Sequence, residues 1–557
     1  MSKAEQLSLV PEQKIDFSGQ WFRFDGFENF PEQIRDDFSI KRGSWKLLRI
    51  DGEHHGVKIE EPGKVLAWWN AEEEEKNCHA IIIQLLNQRG GYIPRATVIE
   101  NFLFSIRGYH LDIARGGVPK LETFKKIIRW LFLLKYNALA IYFEDLYPWK
   151  SFPDIGLTRG RITDAELKEL VDYAQAYGIE VIPSLELLGH MENILSLPEY
   201  SHLRELWWVP NDGCIDLTNG SAKELAEGLL RDVLSFARWK HIHIGGDETW
   251  SLGRGRSLNR TQTFCAPDLY LEHYRSLLQI VREHGKIPIV WGDMLIGMTL
   301  PEPERKMWQK VASSEIWDYP LIANWDYEPA EEQHFERRIK SVGHLNRQLA
   351  CPSLSNFGKL CPNYDVATSN MRSFIAAARK NRLPGFLITA WGDDGAECLF
   401  SLLDPLILAA MEIAEGTGEW ERKWLALGRE DPKVFTVRKL LGCSEVAERL
   451  KRAVFTEGSG RGFVQERPGV AATWKQILNT VDAEELRLPA DLEFLVSCLR
   501  VGTNMIEKKS RSKEFIALSS MYSTLWLAER KKEGLARILT RFWGSAGFVE
   551  LEGRKTD

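Results

Sequence analysis

Two adjacent acidic residues, Asp247 and Glu248, follow the short run 241–244 and a pair of glycines. In extended backbone neighbouring side chains point to opposite sides, so both carboxyls reach one ligand only if the chain bends after Gly246. Two carboxylates held close together raise the pKa of one of them, which suits a general acid near neutral pH. The pair therefore indicates acid–base chemistry, and two solvated loop acids are the alternative that this local pattern leaves open.

Three other apolar runs also end in polar and aromatic residues. They end in the segments 186–190 (ELLGH), 325–327 (WDY) and 391–394 (WGDD). If the runs are parallel strands of a barrel, their carboxyl ends meet at one mouth. We therefore expect these side chains to gather around Asp247 and Glu248.

The elements that would position these residues are eight apolar runs, read as strands buried on both faces. They lie at 102–113, 138–143, 179–188, 241–244, 287–291, 321–325, 349–354 and 385–391. Helical patterns separate most of them, which is typical of an α/β fold of the (β/α)8 TIM-barrel class. A doubly wound sheet is the competing architecture, but the turn 114–119 reads A-R-G-G-V-P and lacks the G-x-G-x-x-G pattern.

The sequence divides into three predicted regions. Residues 1–100 form a small N-terminal α/β region, 101–415 the catalytic barrel, and 416–557 a C-terminal helical region. Within the first region, the acidic run Glu72–Glu75 is predicted to be a solvated loop.

Composition limits the class of partner. The net charge of −6 over 557 residues gives no basic footprint, so nucleic acid is not expected as a partner. We also expect no membrane association, because the sequence has neither a leading signal pattern nor a run of about 18 apolar residues. Eight scattered cysteines without a C-x-x-C pair predict free thiols in the cytoplasm. The sequence leaves the oligomeric state open, a homodimer included.

The run H-I-G-G-D-E at 243–248 resembles the signature of the family-twenty glycoside hydrolases, the β-N-acetylhexosaminidases. The segment 106–115, with its R-G and D-x-x-R, is similar to the first strand of that family. Gly189-His190 is similar to the end of the third strand, and Trp391-Gly392-Asp393 resembles the W-G-E of the last. These motifs follow the family's order over residues 103–400, and they look more like its smaller intracellular branch than its secreted members.

This resemblance implies an exo-acting, retaining enzyme that removes terminal β-linked GlcNAc or GalNAc from a glycan or glycoconjugate. The substrate's own 2-acetamido oxygen would act as nucleophile and form an oxazolinium intermediate. Glu248 would protonate the leaving oxygen and then activate water. Asp247 would orient the acetamido group and stabilise the positive charge.

The resemblance also implies a set of binding residues. Arg107 would bind sugar hydroxyls and Asp393 the O4 and O6 hydroxyls, while Tyr327 would donate to the acetamido carbonyl. The walls of the pocket would be Trp291, Trp325 and Trp391. His190 would contact Glu248 with support from Glu186, and His243 is predicted to be an interior histidine behind the site. Asp112 and Arg115 are interpreted as an ion pair of the barrel.

Two other functions are compatible with parts of this pattern. His241 and His243 face one side of a strand and, with His190, Asp247 and Glu248, could bind the metal of a metal-dependent barrel hydrolase. Their position before the strand end argues against this, and no metal or cofactor is expected. A non-catalytic glycan-binding protein is the second alternative, although such a protein has no use for a general acid.

Overall fold

A computed structural model describes residues 7–297, 300–428, 430–455, 468–483 and 486–553. The N-terminal part is a five-stranded sheet with the order β1-β5-β3-β4-β2. Its strands are β1 (Lys14–Arg23), β2 (Lys46–Arg49), β3 (His55–Lys58), β4 (Lys64–Trp68) and β5 (Tyr92–Glu100). The helix Glu72–Gln88 connects β4 to β5 and covers one face of this sheet.

The predicted loop at Glu72–Glu75 is wrong, because these residues form the first turn of that helix. Carboxylates are favourable at this end of a helix, where unpaired backbone N–H groups carry partial positive charge. The Glu74 carboxylate accepts hydrogen bonds from the backbone N–H groups of Asn70 at 2.6 Å and Ala71 at 3.2 Å. The acidic run therefore stabilises the start of a helix.

Eight parallel strands form a closed barrel, which confirms the predicted TIM-barrel fold. The last strand pairs with the first, from Gly385 beside Ile106 to Ala390 beside Leu111. Two of the predicted strands have the predicted bounds, and the seventh ends earlier than expected. The strands are β6 (Ile106–Asp112), β7 (Ala138–Tyr142), β8 (Glu180–Ser184), β9 (His241–His243), β10 (Ile287–Trp291), β11 (Leu321–Trp325), β12 (Gln348–Cys351) and β13 (Gly385–Ala390).

Helices cover the outside of the barrel. One of these helices begins with a capping box, in which Thr163 Oγ1 accepts from the backbone of Glu166 and the Glu166 carboxylate accepts from the backbone of Thr163. The longer helices are Leu121–Leu133, Asp164–Ala176, Gly220–Leu234, Ala266–Glu283, Glu302–Ala312, Glu332–Val342, Tyr364–Lys380 and Asp404–Glu415.

Side chains fill the inside of the barrel. Ala140, Tyr142, Ile289, Trp291 and Leu387 belong to one buried apolar cluster there. A packed interior of this kind leaves no channel through the barrel. Among the described residues, the cavity of the barrel opens at the mouth formed by the carboxyl ends of the strands.

The C-terminal part of the chain is helical and holds the loop that follows β13. Arg530 donates to the carbonyl oxygens of Ala396 and Cys398, and the Tyr522 hydroxyl donates to the carbonyl of Glu397 at 2.8 Å. Lys451 Nζ lies 3.0 Å from Glu397 Oε1. The helices are Trp420–Leu427, Pro432–Leu441, Ser444–Ala447, Leu450–Val454, Pro468–Ala483, Ala490–Ile506, Ser512–Glu529 and Leu535–Gly553.

Neither disulfides nor membrane-spanning helices are found in the part of the chain that the structure describes. The eight cysteines are not joined in disulfides with one another. The described helices are too short or too polar to cross a bilayer.

Candidate active site

A cavity of about 530 Å³ opens at the carboxyl ends of the barrel strands. It brings together most of the residues selected from the sequence. The lining residues are Arg115, His190, Asp247, Glu248, Trp325, Asp326, Tyr327, Glu328, Phe357, Trp391 and Asp393.

The backbone after β9 bends sharply, which lets two adjacent carboxyls face the same cavity. Gly245 and Gly246 have φ angles of +70° and +109°, in the region that favours glycine, and Glu248 has a φ of +48°. A Cβ atom on Gly246 would lie 2.5 Å from the Tyr274 hydroxyl, and one on Gly245 would collide with the Glu186 carboxylate. Any larger residue at these two positions would displace Asp247 and Glu248.

His190 joins the two acids. Its Nε2 lies 3.5 Å from Asp247 Oδ2 and 3.5 Å from Glu248 Oε2. Burial lowers the pKa of His190, but the nearby Asp247 and Glu248 outweigh it and raise this pKa well above its ordinary value. Burial likewise raises the pKa of Asp247, yet the His190 charge and hydrogen bond hold it below the usual value. The pair is therefore an imidazolium beside a carboxylate at neutral pH.

Asp293 is a site residue that the sequence interpretation missed. It is fully buried and follows β10, where its Oδ2 accepts the backbone N–H of Glu248 at 3.0 Å. Its Oδ1 accepts from Trp325 Nε1 at 3.2 Å. Burial, and then the nearby Asp247 charge, raise the pKa of Asp293 to about 7. The signal was present in the sequence, since 291–293 repeats the W-G-D of 391–393.

Arg107, predicted to bind sugar hydroxyls, does not lie in the pocket. It is the second residue of β6, and its guanidinium donates to the carbonyls of Lys135 at 3.0 Å and Phe104 at 2.9 Å and pairs with Glu73. A strand rises about 3.3 Å per residue, so the five residues between Arg107 and the end of β6 put it roughly 17 Å from the mouth. The prediction chose the arginine at the wrong end of the strand.

Arg115 lies in the pocket instead. Its guanidinium is 3.1 Å from Asp112, 3.4 Å from Glu144 and 3.8 Å from Asp393. It also lies over the Tyr142 ring, 4.8 Å from the ring centroid. The predicted ion pair with Asp112 is present, and it holds the Arg115 guanidinium at the cavity beside Asp393.

The aromatic residues divide into a wall and a floor. Trp325 and Tyr327 line the cavity with stacked rings, 5.1 Å apart at 28°. Trp391 also lines it, and its Nε1 donates to the Tyr327 hydroxyl at 2.8 Å. Trp291, predicted as a wall, is fully buried below the cavity with its ring 4.3 Å from His243. That prediction is wrong because Trp291 ends β10 with its side chain among the residues that fill the barrel.

Glu186 and His243 support the glycine turn. The predicted support of His190 by Glu186 is not a hydrogen bond, since the Glu186 carboxylate accepts from Gly246 N at 3.3 Å and from Trp291 Nε1 at 3.3 Å. Burial and the Asp247 charge raise the pKa of Glu186 well above its ordinary value. His243 is interior, its Nδ1 accepts from Gly245 N at 3.1 Å, and burial lowers its pKa to about 3.

The comparisons with known proteins agree with this geometry. Residues 104–324 match the family described as "Glycosyl hydrolase family 20, catalytic domain". Residues 104–324 therefore correspond to the catalytic domain of glycosyl hydrolase family 20. The match ends within the sixth barrel strand, and β12 and β13 complete the barrel in the structure.

Two relatives are named Hexosaminidase D. The protein from Homo sapiens is 29% identical over 224 residues, which are 39% of this chain and 45% of that protein. The protein from Bos taurus is 26% identical over 222 residues, which are 38% of this chain and 63% of that protein. The chain thus covers about half to two thirds of the length of these curated relatives.

Solved structures of family 20 proteins share the fold. A chitobiase from Flavobacterium johnsoniae has a TM-score of 0.60 at 14% identity and covers 95% of this chain and 100% of its own. A β-N-acetylhexosaminidase from Bacteroides fragilis has a TM-score of 0.59 at 18% identity and covers 76% of this chain and 95% of its own.

The donor set of the metal-hydrolase alternative does not come together in this barrel. His241 lies at the start of β9, where its Nδ1 is 2.9 Å from the Glu180 carboxylate, away from the mouth. Donor atoms of Glu144, His190 and Glu192 do lie within 4.8 Å of one another. Since the Arg115 cation is 3.4 Å from Glu144, we interpret that cluster as part of the ion-pair network around Arg115.

Proposed function

We propose that the protein is an exo-acting, retaining β-N-acetylhexosaminidase that removes terminal β-linked GlcNAc or GalNAc. The observation that carries this proposal is the shared cavity of Asp247 and Glu248, with His190 3.5 Å from each. Membership of family 20 and the names of the relatives support the same activity.

The closed floor of the cavity favours exo action. Buried residues such as Trp291 and Tyr142 fill the barrel below it. A glycan can then insert only its terminal sugar, and the rest of the chain must leave through the mouth. The aromatic wall of Trp325, Tyr327 and Trp391 gives flat apolar surfaces of the kind that sugar rings pack against.

Glu248 is the proposed general acid and base. Its side chain is 29% exposed at the cavity, so it can reach both the glycosidic oxygen and an incoming water. It gives its proton to the leaving oxygen as the bond from that oxygen to C1 breaks. As a carboxylate it then takes a proton from the water that attacks C1.

Asp247 is the proposed partner of the substrate's nucleophile. It is held ionised by His190, and its buried Oδ1 has no hydrogen-bond partner among the described residues. That oxygen is available to accept the acetamido N–H while the acetamido oxygen bonds to C1. The resulting oxazolinium carries a positive charge, which a fixed carboxylate stabilises by about 3 kcal/mol in comparable sites. Water then opens the ring from the same face as the departed group, so the anomeric configuration is retained.

The remaining pocket residues position the sugar. Tyr327 accepts from Trp391 Nε1, so its own hydroxyl proton is free of that bond and can be donated to the acetamido carbonyl. Arg115 and Asp393 lie 3.8 Å apart at the cavity and would bind ring hydroxyls as donor and acceptor. Arg115 takes the role that the sequence interpretation gave to Arg107.

The test is a comparison of rates on the nitrophenyl β-glycosides of GlcNAc, GalNAc and galactose. We expect turnover of one or both N-acetylated sugars and at least ~100-fold slower release from galactose, which has no acetamido nucleophile. Equal rates on galactose would overturn substrate assistance.

Glu248→Gln should abolish hydrolysis of natural glycans, and Glu224→Gln, on the exposed face of the helix Gly220–Leu234, is the matched control. Full activity of Glu248→Gln would overturn the assignment of Glu248 as the general acid. A cytoplasmic location stays a prediction.

A further inference from the structure

Three tryptophan side chains are about half exposed on two loops at the barrel mouth. Trp207, Trp208 and Trp250 are 46%, 55% and 48% exposed. Exposed indoles are costly for a folded protein, because burying such a ring is worth a few kcal/mol. A group of them on the surface marks a binding site more often than it fills a structural need.

Two carboxylates fasten the two loops together. Asp212 accepts from the backbone N–H of Leu206, which precedes Trp207, at 2.8 Å, and from the hydroxyl of Ser251, which follows Trp250. Glu205 accepts from Gly255 N at 2.8 Å and also from the Ser257 hydroxyl. The two loops therefore form one structural unit, which carries all three indoles.

This unit lies on the side of the pocket that holds the general acid. Trp250 is two residues after Glu248, and its backbone N–H donates to the Glu248 carbonyl at 2.8 Å. The other loop packs on the histidine segment, since Gly213 O accepts from Met191 N at 3.0 Å and a Cβ on Gly213 would lie 3.1 Å from the Cα of His190. One loop thus begins beside Glu248, and the other ends beside His190, which contacts Glu248.

We propose that Trp207, Trp208 and Trp250 form a carbohydrate-binding platform for the saccharide that leaves the reaction. This inference rests on the proposed function. The oxygen that Glu248 protonates belongs to the leaving saccharide, so the next sugar of a glycan must pass out of the pocket beside Glu248. The platform lies along that exit and selects oligosaccharides over single-sugar glycosides.

The chemistry of the platform suits a sugar chain. The Trp207 and Trp208 rings are 4.4 Å apart and nearly perpendicular at 87°, so they present a face and an edge rather than one flat apolar surface. The C–H faces of pyranose rings pack on indole faces, and the indole N–H can donate to a hydroxyl. The Arg256 guanidinium lies 5.6 Å from the centre of the Trp207 ring and adds a polar edge.

The experiment compares two substrates of wild type and variants. One is the β-1,4-linked GlcNAc tetrasaccharide, and the other is the β-fluoride of GlcNAc, whose leaving group is too small to touch the platform. Trp207→Ala/Trp208→Ala and Trp250→Ala should each lower kcat/KM for the tetrasaccharide by about tenfold and leave the fluoride within about twofold. Trp543→Ala, at a 56% exposed tryptophan on the helix Leu535–Gly553, is the matched control and should change neither.

The possible results separate this inference from the proposed function. Failure of wild type to hydrolyse either substrate would overturn the proposed function itself. Unchanged tetrasaccharide kinetics in both platform variants of an active enzyme would overturn the platform alone. Loss of a dimer in sedimentation without a change in tetrasaccharide kinetics would assign the three indoles to a subunit interface and would equally overturn it.

Discussion

The carboxylate of Asp293 accepts the backbone N–H of Glu248 at 3.0 Å and holds the Trp325 indole with its other oxygen. One buried side chain thereby positions both the proposed general acid and a wall of the pocket. The contact crosses from the end of β10 to the turn after β9, so it also ties two neighbouring strand ends together.

Replacing the Asp293 carboxylate should change kcat more than KM. Asp293→Asn keeps the volume but leaves an amide that can accept only one of the two hydrogen bonds. We expect kcat to fall by about tenfold or more, in line with one unsatisfied buried group. Steady-state kinetics on an aryl N-acetylhexosaminide measures this, and Asp318→Asn, at a 73% exposed side chain, is the control. Unchanged kcat would show that Asp293 does not position Glu248.

The same substitution should alter how stability depends on pH. The folded pKa of Asp293 is raised from 3.8 to about 7, so between these values the folded state binds the proton that the unfolded state has lost. This contribution to the free energy of unfolding is present at pH 4 and falls as pH rises through 7. We expect denaturant unfolding to show Asp293→Asn gaining stability relative to wild type between pH 5 and 7.5. A constant difference over that range would contradict the raised pKa.

Removal of the His190 charge should move the acidic limb of the activity profile. Without the imidazolium the pKa of Asp247 rises, so the ionised form needed at the acetamido group appears only at higher pH. We expect His190→Asn to shift the acidic limb of kcat/KM upward and to lower the maximum by about 10²-fold. His54→Asn is the matched control, since both histidines have φ near +50° and His54 is exposed. If the maximum of kcat/KM falls and its acidic limb does not move, His190 acts through its packing and not through its charge.

Arg107 in β6 and Arg115 just after it should separate an effect on folding from an effect on binding. Arg115→Lys removes the planar guanidinium at the cavity, and we expect kcat/KM to fall by about 10²-fold while the fold persists. Arg107→Lys breaks hydrogen bonds to the carbonyls of Lys135 and Phe104, so it should lower the melting temperature and leave KM unchanged. A raised KM in Arg107→Lys with unaffected Arg115→Lys would restore the assignment made from the sequence.

The salt bridge beneath the loop after β13 should influence the sugar site from a distance. Glu397 is buried with Lys451 3.0 Å away and also pairs with Arg541, and this loop carries Asp393. Lys451→Met leaves the Glu397 charge partly unpaired, so we expect a KM increase of several fold and a loss of stability of about 2 kcal/mol. Lys439→Met, at an exposed pair on the helix Pro432–Leu441, is the control. An unchanged KM would separate this salt bridge from Asp393.

The barrel could be predicted from the sequence because its strands are buried on both faces. The run at 287–291 is apolar throughout, the run at 321–325 contains one polar residue, Asn324, and both have the predicted bounds. The acidic run Glu72–Glu75 gave the wrong element, because a charged segment reads the same in a loop and at the start of a helix. Only the preceding turn and the buried residues further along distinguish the two.

Within the site, the sequence identified which strand ends matter but not always which residue of a strand reaches the mouth. Arg107 and Arg115 are both in one motif, and their eight-residue separation spans the whole of β6. Trp291 and Trp391 both end a strand before a glycine, yet one lies below the cavity and the other beside it. The twist and register of the closed sheet decide such cases, and a single sequence does not encode them in a readable pattern.

The hydrogen bonds from the C-terminal helical region to the loop after β13 limit how far the chain can be shortened without loss of activity. Tyr522, in the helix Ser512–Glu529, and Arg530, just after it, hydrogen-bond to the segment 396–398, which begins three residues beyond Asp393. A fragment that ends after the helix Asp404–Glu415 would keep every residue that lines the cavity, but it would lose the hydrogen bonds that Tyr522 and Arg530 make to the loop beyond Asp393. We therefore expect the smallest autonomous unit with the proposed activity to extend beyond the barrel, and shortening it from that end should weaken sugar binding before it unfolds the strands.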